Sequence, residues 1–175
     1  MRGFTLLELM VVILLAGILS AIALPQFSSV IARAQQTSIA NALVLDLNYA
    51  RSEAIKRSQY AFVCPLPNGG SEGLATPSCG NDWNEGWQVV VDVDDSGSID
   101  NSDLQLRVHE SPGNRVQIDA GNNAAGGLRF NALGLVNSIN GGPANDTLQV
   151  QSDATSQTLN VIISRAGRIR TERKL

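Results

Sequence analysis

The chain has 175 residues, 43% hydrophobic but only 5% aromatic, with 16 glycines and a net charge of −3. That length fits one globular domain plus an appendage and excludes a long multidomain enzyme. Abundant glycine with few aromatics suits a loop-rich β domain, and the near-neutral balance names no partner. One histidine, no Ser-His-Asp or Cys-His set and no glycine-rich nucleotide motif argue against an enzyme.

Residues 4–24 form an apolar run in which Glu8 is the only ionisable side chain, about the 20 residues a helix needs to cross a bilayer. The apolar pattern passes Pro25 into a helical repeat, unlike a cleaved secretory signal, so the segment is read as retained. Hydrophobicity alone makes it a simple membrane anchor. Glu8 calls for more, since a carboxylate near the centre of such a span costs about 2.5–3.5 kcal/mol. Pro25 is expected to kink or loosen the helix. Beyond it, Phe27, Val30, Ile31, Ala34, Leu43, Leu47, Ala50 and Ala54 recur mostly at three- and four-residue spacing. This predicts an amphipathic helix to about Arg57 that supports the head.

After the helix, short apolar runs alternate with Gly, Asn, Asp and Pro. Strands are predicted at 61–64, 87–92, 104–109, 116–119, 128–131, 148–150 and 160–164, in antiparallel sheet packed on the helix. Cys64 and Cys79 are the only cysteines and flank a loop. A disulfide fits if the head lies in an oxidising compartment, closing a loop worth roughly 3 kcal/mol. Two thiols without partner histidines make a poor metal site, and His109 reads as structural.

Charge is segregated. Between Ser58 and Leu106 lie eight acidic residues (Glu72, Asp82, Glu85, Asp92, Asp94, Asp95, Asp100, Asp103) and no Lys or Arg. Within residues 92–103, Asp92, Asp94, Ser96, Asp100 and Asp103 occupy positions one, three, five, nine and twelve of a calcium-loop spacing. Gly97 sits at six, the Ser98 carbonyl at seven and Ile99 at eight. Ca2+ wants such converging hard oxygens and a sharp turn, although Asp103 replaces the usual bidentate Glu and the flanks read as strands. The alternative is a solvated hairpin loop.

The last eleven residues reverse the sign: Arg165, Arg168, Arg170, Arg173 and Lys174 stand against Glu172 alone. If 168–171 is extended, Arg168 and Arg170 face one way while Ile169 packs inward. Two guanidinium forks suit phosphate oxygens, so the tail reads as a polyanion site, with no base-reading apparatus and strong salt dependence expected. The alternative is a basic tail paired with acidic neighbours.

Several of these stretches carry a family resemblance. Gly3-Phe4-Thr5-Leu6-Leu7-Glu8 resembles the processing site of type IV pilins and type II secretion pseudopilins. The resemblance implies cleavage of the leader 1–3 between Gly3 and Phe4 by a prepilin peptidase and N-methylation of Phe4. It also implies pairing of Glu8 with a neighbouring subunit's terminal ammonium, which leaves neither charge alone in an apolar bundle. The stretch 47–57, the Gly86-Trp87-Gln88-Val89-Val90-Val91 run, Phe130-Asn131-Ala132-Leu133-Gly134 and Ser164-Arg165-Ala166-Gly167 resemble the FimT/FimU and GspH group. Gly167-Arg168-Ile169-Arg170 resembles the C-terminal motif of FimT proteins, associated with binding DNA during natural transformation.

The implied fold is α+β, a type IV pilin with a long N-terminal helix packed on an antiparallel β-sheet head. Residues 4–25 form its apolar transmembrane and polymerisation helix, 26–58 an amphipathic helix and 59–175 the head. The expected role is a minor pilin in the bacterial inner membrane, head in the periplasm and then on an extracellular pilus. Its expected partners are other pilins, the peptidase, the membrane and DNA. By resemblance Arg168 and Arg170 lead the DNA contacts, with Gly167 between them and Arg165, and Arg173 and Lys174 extending the patch. No cofactor is required apart from the candidate Ca2+. A FimU-like structural pilin priming assembly and a GspH-like pseudopilin share most of these features.

Overall fold

The computed structural model describes residues 5–67, 77–142 and 144–174, without the side chains of 21–27. Helix α1 (Leu6–Arg57) starts at Thr5, whose side chain accepts the Glu8 N–H at 3.3 Å. It ends at Ser58, a left-handed cap (φ 57°) whose N–H closes on the last turn. Lys56 and Arg57 sit in that turn, where the exposed carbonyls favour positive charge. The helical backbone continues through position 25. The side chains of Pro25 and Phe27 lie outside the described residues, as do Gly3 and Phe4 of the expected cleavage site.

Only the second part of α1 is covered by the head. A buried stripe runs through Ala32, Gln36, Ala40, Leu43, Leu47, Ala50 and Ala54, three and four residues apart, with Asp46 and Glu53 buried beside it. The expected stripe holds from Leu43 onward but not at Val30, Ile31 and Ala34. Val30 and Ile31 are exposed, at 61% and 46%, Ala34 is exposed too, and the buried face turns on small Ala32 and on Gln36. Gln36 is inward because it has partners: its Nε2 donates to the Val150 carbonyl at 2.8 Å and the Gln157 carbonyl at 2.7 Å. Buried backbone oxygens so satisfied make a polar residue preferable to a large apolar one there.

Two antiparallel sheets lie on this face. The first joins β1 (Ala61–Pro65), β2 (Gly86–Val91), β3 (Leu104–Glu110), β5 (Leu128–Phe130) and β6 (Val136–Ser138) in the order β3-β2-β1-β5-β6. The second joins β4 (Val116–Ala120), β7 (Asp146–Ser152), β8 (Thr158–Ile163) and β9 (Ile169–Lys174) in the order β4-β7-β8-β9. The seven expected strands are present. Strands β6 and β9 were not expected: the first is three residues long, and the second reads Ile-Arg-Thr-Glu-Arg-Lys with one apolar side chain.

Leu43, Leu47 and Ala50 of α1 share one core with Val63, Trp87, Val89, Phe130, Leu148, Val161 and Ile163. Buried Trp87 finds a partner for its ring N–H in Asp46 Oδ2 at 2.9 Å, and Asp46 Oδ1 accepts from Arg107 Nη1 at 2.9 Å. Arg107 also lies over the Tyr49 ring, 4.1 Å from its centroid. His109, expected to be structural, stacks on Trp87 with ring centroids 4.1 Å apart. A disulfide joins Cys64, at the end of the buried β1, to Cys79.

Candidate functional site

The basic residues at the C-terminus sit on an ordered edge rather than a loose tail. Among the described residues, strand β9 pairs only with β8, in a register that sets Ile169 opposite Ile163, Arg170 opposite Ile162, Glu172 opposite Asn160 and Lys174 opposite Thr158. Paired residues share a face, and successive residues alternate. Ile169 therefore faces the core with Ile163, while Arg170, Glu172 and Lys174 face solvent. Arg168 continues that outward set: its carbonyl accepts the Ser164 N–H at 3.0 Å, extending the pairing one step below the strand.

Arg173 pairs with Leu159 and so belongs to the opposite face; it does not extend the patch as expected. Arg170 Nη2 lies 3.7 Å from Glu172 Oε2, an exposed ion pair of little strength that tempers the patch. Among the described residues, Arg165, Arg168 and Lys174 are exposed and form no ion pair.

Gly167 is buried and shapes the turn rather than offering a surface. Its φ is +74°, and a Cβ there would drive into the Gly134 carbonyl oxygen and come within 2.7 Å of Arg51 Nε. The neighbouring Ala166 carbonyl accepts from Arg51 Nη2 at 3.4 Å, and the Arg165 carbonyl accepts the Val136 N–H at 3.0 Å. Helix α1, the turn at 131–135 and the turn at 164–168 thus lock together, fixing where Arg165 and Arg168 project. Arg51 and Gly134 lie in stretches that carry the family resemblance, but nothing in the sequence gives them this packing role. A glycine at each of two distant turns was the one available hint.

The acidic loop is folded on itself. Asp92, fully buried, accepts N–H groups from Ser96 (3.1 Å) and Gly97 (2.7 Å). Asp94 accepts the Ser96 N–H and the Ser102 hydroxyl, and Asp103 accepts the N–H groups of Val93 and Asp100. Carboxylate oxygens of Asp92, Asp94 and Asp103 lie within 4.8 Å of one another. Ser96 bonds the Ser98 carbonyl and Asp100 accepts from Ser102, and Asp100 lies outside the three-carboxylate cluster. Burial pushes the Asp92 carboxyl above its usual range, and the Ser96 N–H holds Asp94 below it. Arg129 Nη1 donates to the Gly97 carbonyl at 3.0 Å, bracing the loop from β5.

At the other end, Glu8 occupies the third helical position behind Thr5, half of a capping box that also accounts for a carboxylate there. The apolar side chains from Leu6 to Leu19 are exposed and await cover from outside the chain. Among the described residues, no helix is long and apolar enough to cross a membrane. Of the expected span over 4–25, residue 4 and the side chains of 21–25 lie outside the described residues.

The family described as type II transport protein GspH matches residues 40–167, most of the chain, from Ala40 of α1 through strand β8. The chain belongs to the GspH family. The prokaryotic N-terminal methylation motif matches residues 1–24. The type IV minor pilin FimU of Pseudomonas aeruginosa is 27% identical, with a TM-score of 0.58 over 80% of this chain and 90% of that one. The minor pseudopilin EpsH from the type 2 secretion system of Vibrio cholerae shares the fold, with a TM-score of 0.53 over 79% of this chain and 96% of that one at 14% identity.

Among curated relatives, the type IV major fimbrial protein FimA of Dichelobacter nodosus is 53% identical over 38 residues, 22% of this chain and 24% of that protein. A fimbrial protein of Moraxella nonliquefaciens is 65% identical over 34 residues, 19% of this chain and 22% of its own. This chain therefore spans about a quarter of the length of the curated relatives it matches. It is a minor type IV pilin or pseudopilin of the GspH/FimU type with the type IV pilin fold, a structural subunit and not an enzyme.

Proposed function

We propose that this subunit binds DNA without sequence preference through Arg168, Arg170 and Lys174, flanked by Arg165, during natural transformation, as a FimT-like minor pilin. The observation that carries the reading is the outward set of cations on β9 and its lead-in turn, held to α1 by Gly167 and Arg51. Guanidinium forks on a rigid edge engage phosphate oxygens at little ordering cost. Contacts to phosphate and sugar position a strand without reading its sequence, so no sequence preference is expected.

In this reading the leader 1–3 is removed between Gly3 and Phe4, Phe4 is N-methylated, and residues 4–25 hold the chain in the inner membrane before assembly. Glu8 then pairs with a neighbour's terminal ammonium and sets register, with the head in the periplasm and later on the pilus. Arg168→Gln with Arg170→Gln should weaken a gel shift and lower transformation frequency while sparing filament incorporation. Unchanged DNA binding would remove the proposal.

The 27% identity to FimU over 90% of that chain favours a second reading, a structural minor pilin that primes assembly. Deletion would then abolish twitching with DNA uptake falling only in step; a secretion defect would point to the pseudopilin role instead. For residues 92–103, the convergence of Asp92, Asp94 and Asp103 supports a Ca2+ ion held by these three after Asp100, Ser96 and the Ser98 carbonyl turn inward. Calcium titration of the purified protein without heat or a melting shift would discard it.

A further inference from the structure

The turn at 131–135 carries a feature that neither assembly through α1 nor phosphate binding uses. Leu133 is 77% exposed, and Leu135 and Ile55 beside it are 39% and 47% exposed. The exposure is built in rather than loose. Asn131 Oδ1 accepts the N–H groups of both Leu133 and Leu135 at 3.0 Å, its carbonyl accepts the Gly134 N–H at 2.8 Å, and its own N–H reaches the Leu135 carbonyl at 3.1 Å. Four bonds within five residues fix Leu133 outward as a knuckle.

That knuckle abuts the cationic turn. The Gly134 carbonyl lies against Gly167, and the Val136 N–H bonds the Arg165 carbonyl, so Leu133 and Arg168 are each one residue from the point where the two turns touch. A rigid apolar side chain beside exposed Arg165 and Arg168 matches a ligand that offers negative charge and an apolar face together. Duplex DNA offers phosphates outside and hides its base faces; a single strand offers both.

We propose that Leu133 is a base-contacting residue that makes this surface prefer single-stranded DNA. The inference rests on the DNA-binding reading above and adds the strand form and a neutral contact. The test uses the detergent-solubilised full chain with a labelled oligothymidylate and a duplex of equal length, across a series of salt concentrations. Leu133→Ser should weaken oligothymidylate binding about three- to tenfold and leave the duplex unchanged, with the salt slope unaltered because no cation is lost. Leu133→Phe should tighten the oligothymidylate complex. Equal effects on both DNAs, or none, would overturn the proposal while Arg168→Gln with Arg170→Gln still weakened binding. If that double variant bound as wild type, the underlying DNA reading would fall instead. If Leu133→Ser bound both DNAs normally but failed to enter filaments, the knuckle would be a subunit contact and the proposal wrong. Unchanged melting temperatures, expected for so exposed a side chain, confirm that each variant is folded.

Discussion

Replacing Gly167 by alanine tests whether the C-terminal cations are held by close backbone packing. Two separable costs arise. At φ +74° an L-residue occupies the left-handed region, at roughly 1–2 kcal/mol. The added methyl also meets the Gly134 carbonyl, a backbone atom that cannot swing aside, and Arg51 Nε within 2.7 Å, and overpacking of this kind costs typically about 1–3 kcal/mol. Gly113 supplies the control: its φ is +78°, yet nothing lies within 4 Å of the position its Cβ would take. Gly113→Ala should pay the backbone cost alone. At about 2–4 °C per kcal/mol for a chain of this size, Gly113→Ala should lower Tm by about 2–8 °C and Gly167→Ala by about 4–20 °C. Thermal melts of the two variants side by side decide the matter. Equal shifts would refute the close approach of the two turns and, with it, the fixed projection of Arg165 and Arg168.

Three further outcomes follow from the packing. Gln36→Ala should cost about 2–4 kcal/mol in chemical denaturation, because two carbonyls lose their donor, with faster amide exchange concentrated in β7 and β8. Reducing the Cys64–Cys79 disulfide, or replacing both cysteines by serine, should remove roughly 3 kcal/mol for a closure of this span, read as a lowered denaturation midpoint. Glu53, whose hydrogen bond from Arg57 at 2.7 Å holds its carboxyl below the usual range, stabilises the fold above the ordinary glutamate pKa. That contribution is lost as pH falls through the depressed value. Glu53→Gln should therefore lower Tm at neutral pH and narrow its gap to wild type on acidification; a gap that stays constant with pH would contradict the ion pair's role.

Much of the architecture was legible because it rests on local pattern. The end of α1 near Arg57, the apolar strand centres and the cysteine pair are written in spacing, turn residues and the change of period from helix to strand. What escaped depends on partners far along the chain. Val30 and Ile31 look like a buried stripe, but the face that meets β7 and β8 is the one bearing Ala32 and Gln36, and only the location of the Val150 and Gln157 carbonyls decides that. Asp46 is buried because Trp87 and Arg107 meet it from two strands. Strand β9 lacks an apolar rhythm because an edge strand needs little more than Ile169 to dock.

The candidate site divides in the same way. Alternation placed Arg168 and Arg170 on one face with Ile169 inward, and the register agrees. The same alternation, carried three residues further, would have put Arg173 on the other side. That Gly167 is a packing residue could not be read from a short motif, since its reason is the Gly134 carbonyl more than thirty residues upstream. The calcium spacing reproduces a sequence pattern, yet Ser96 and Asp100 spend their oxygens on the loop's own hydroxyl, carbonyl and N–H groups.

The most direct test of DNA binding by the β9 face is the salt dependence of affinity for duplex DNA, measured for the full chain and for Arg168→Gln with Arg170→Gln. Two phosphate contacts account for a slope of about 1.8 in log K against log salt, so the double variant should bind more weakly with its slope shallower by about that amount. Identical slopes in the two proteins would contradict the assignment of these arginines to phosphate.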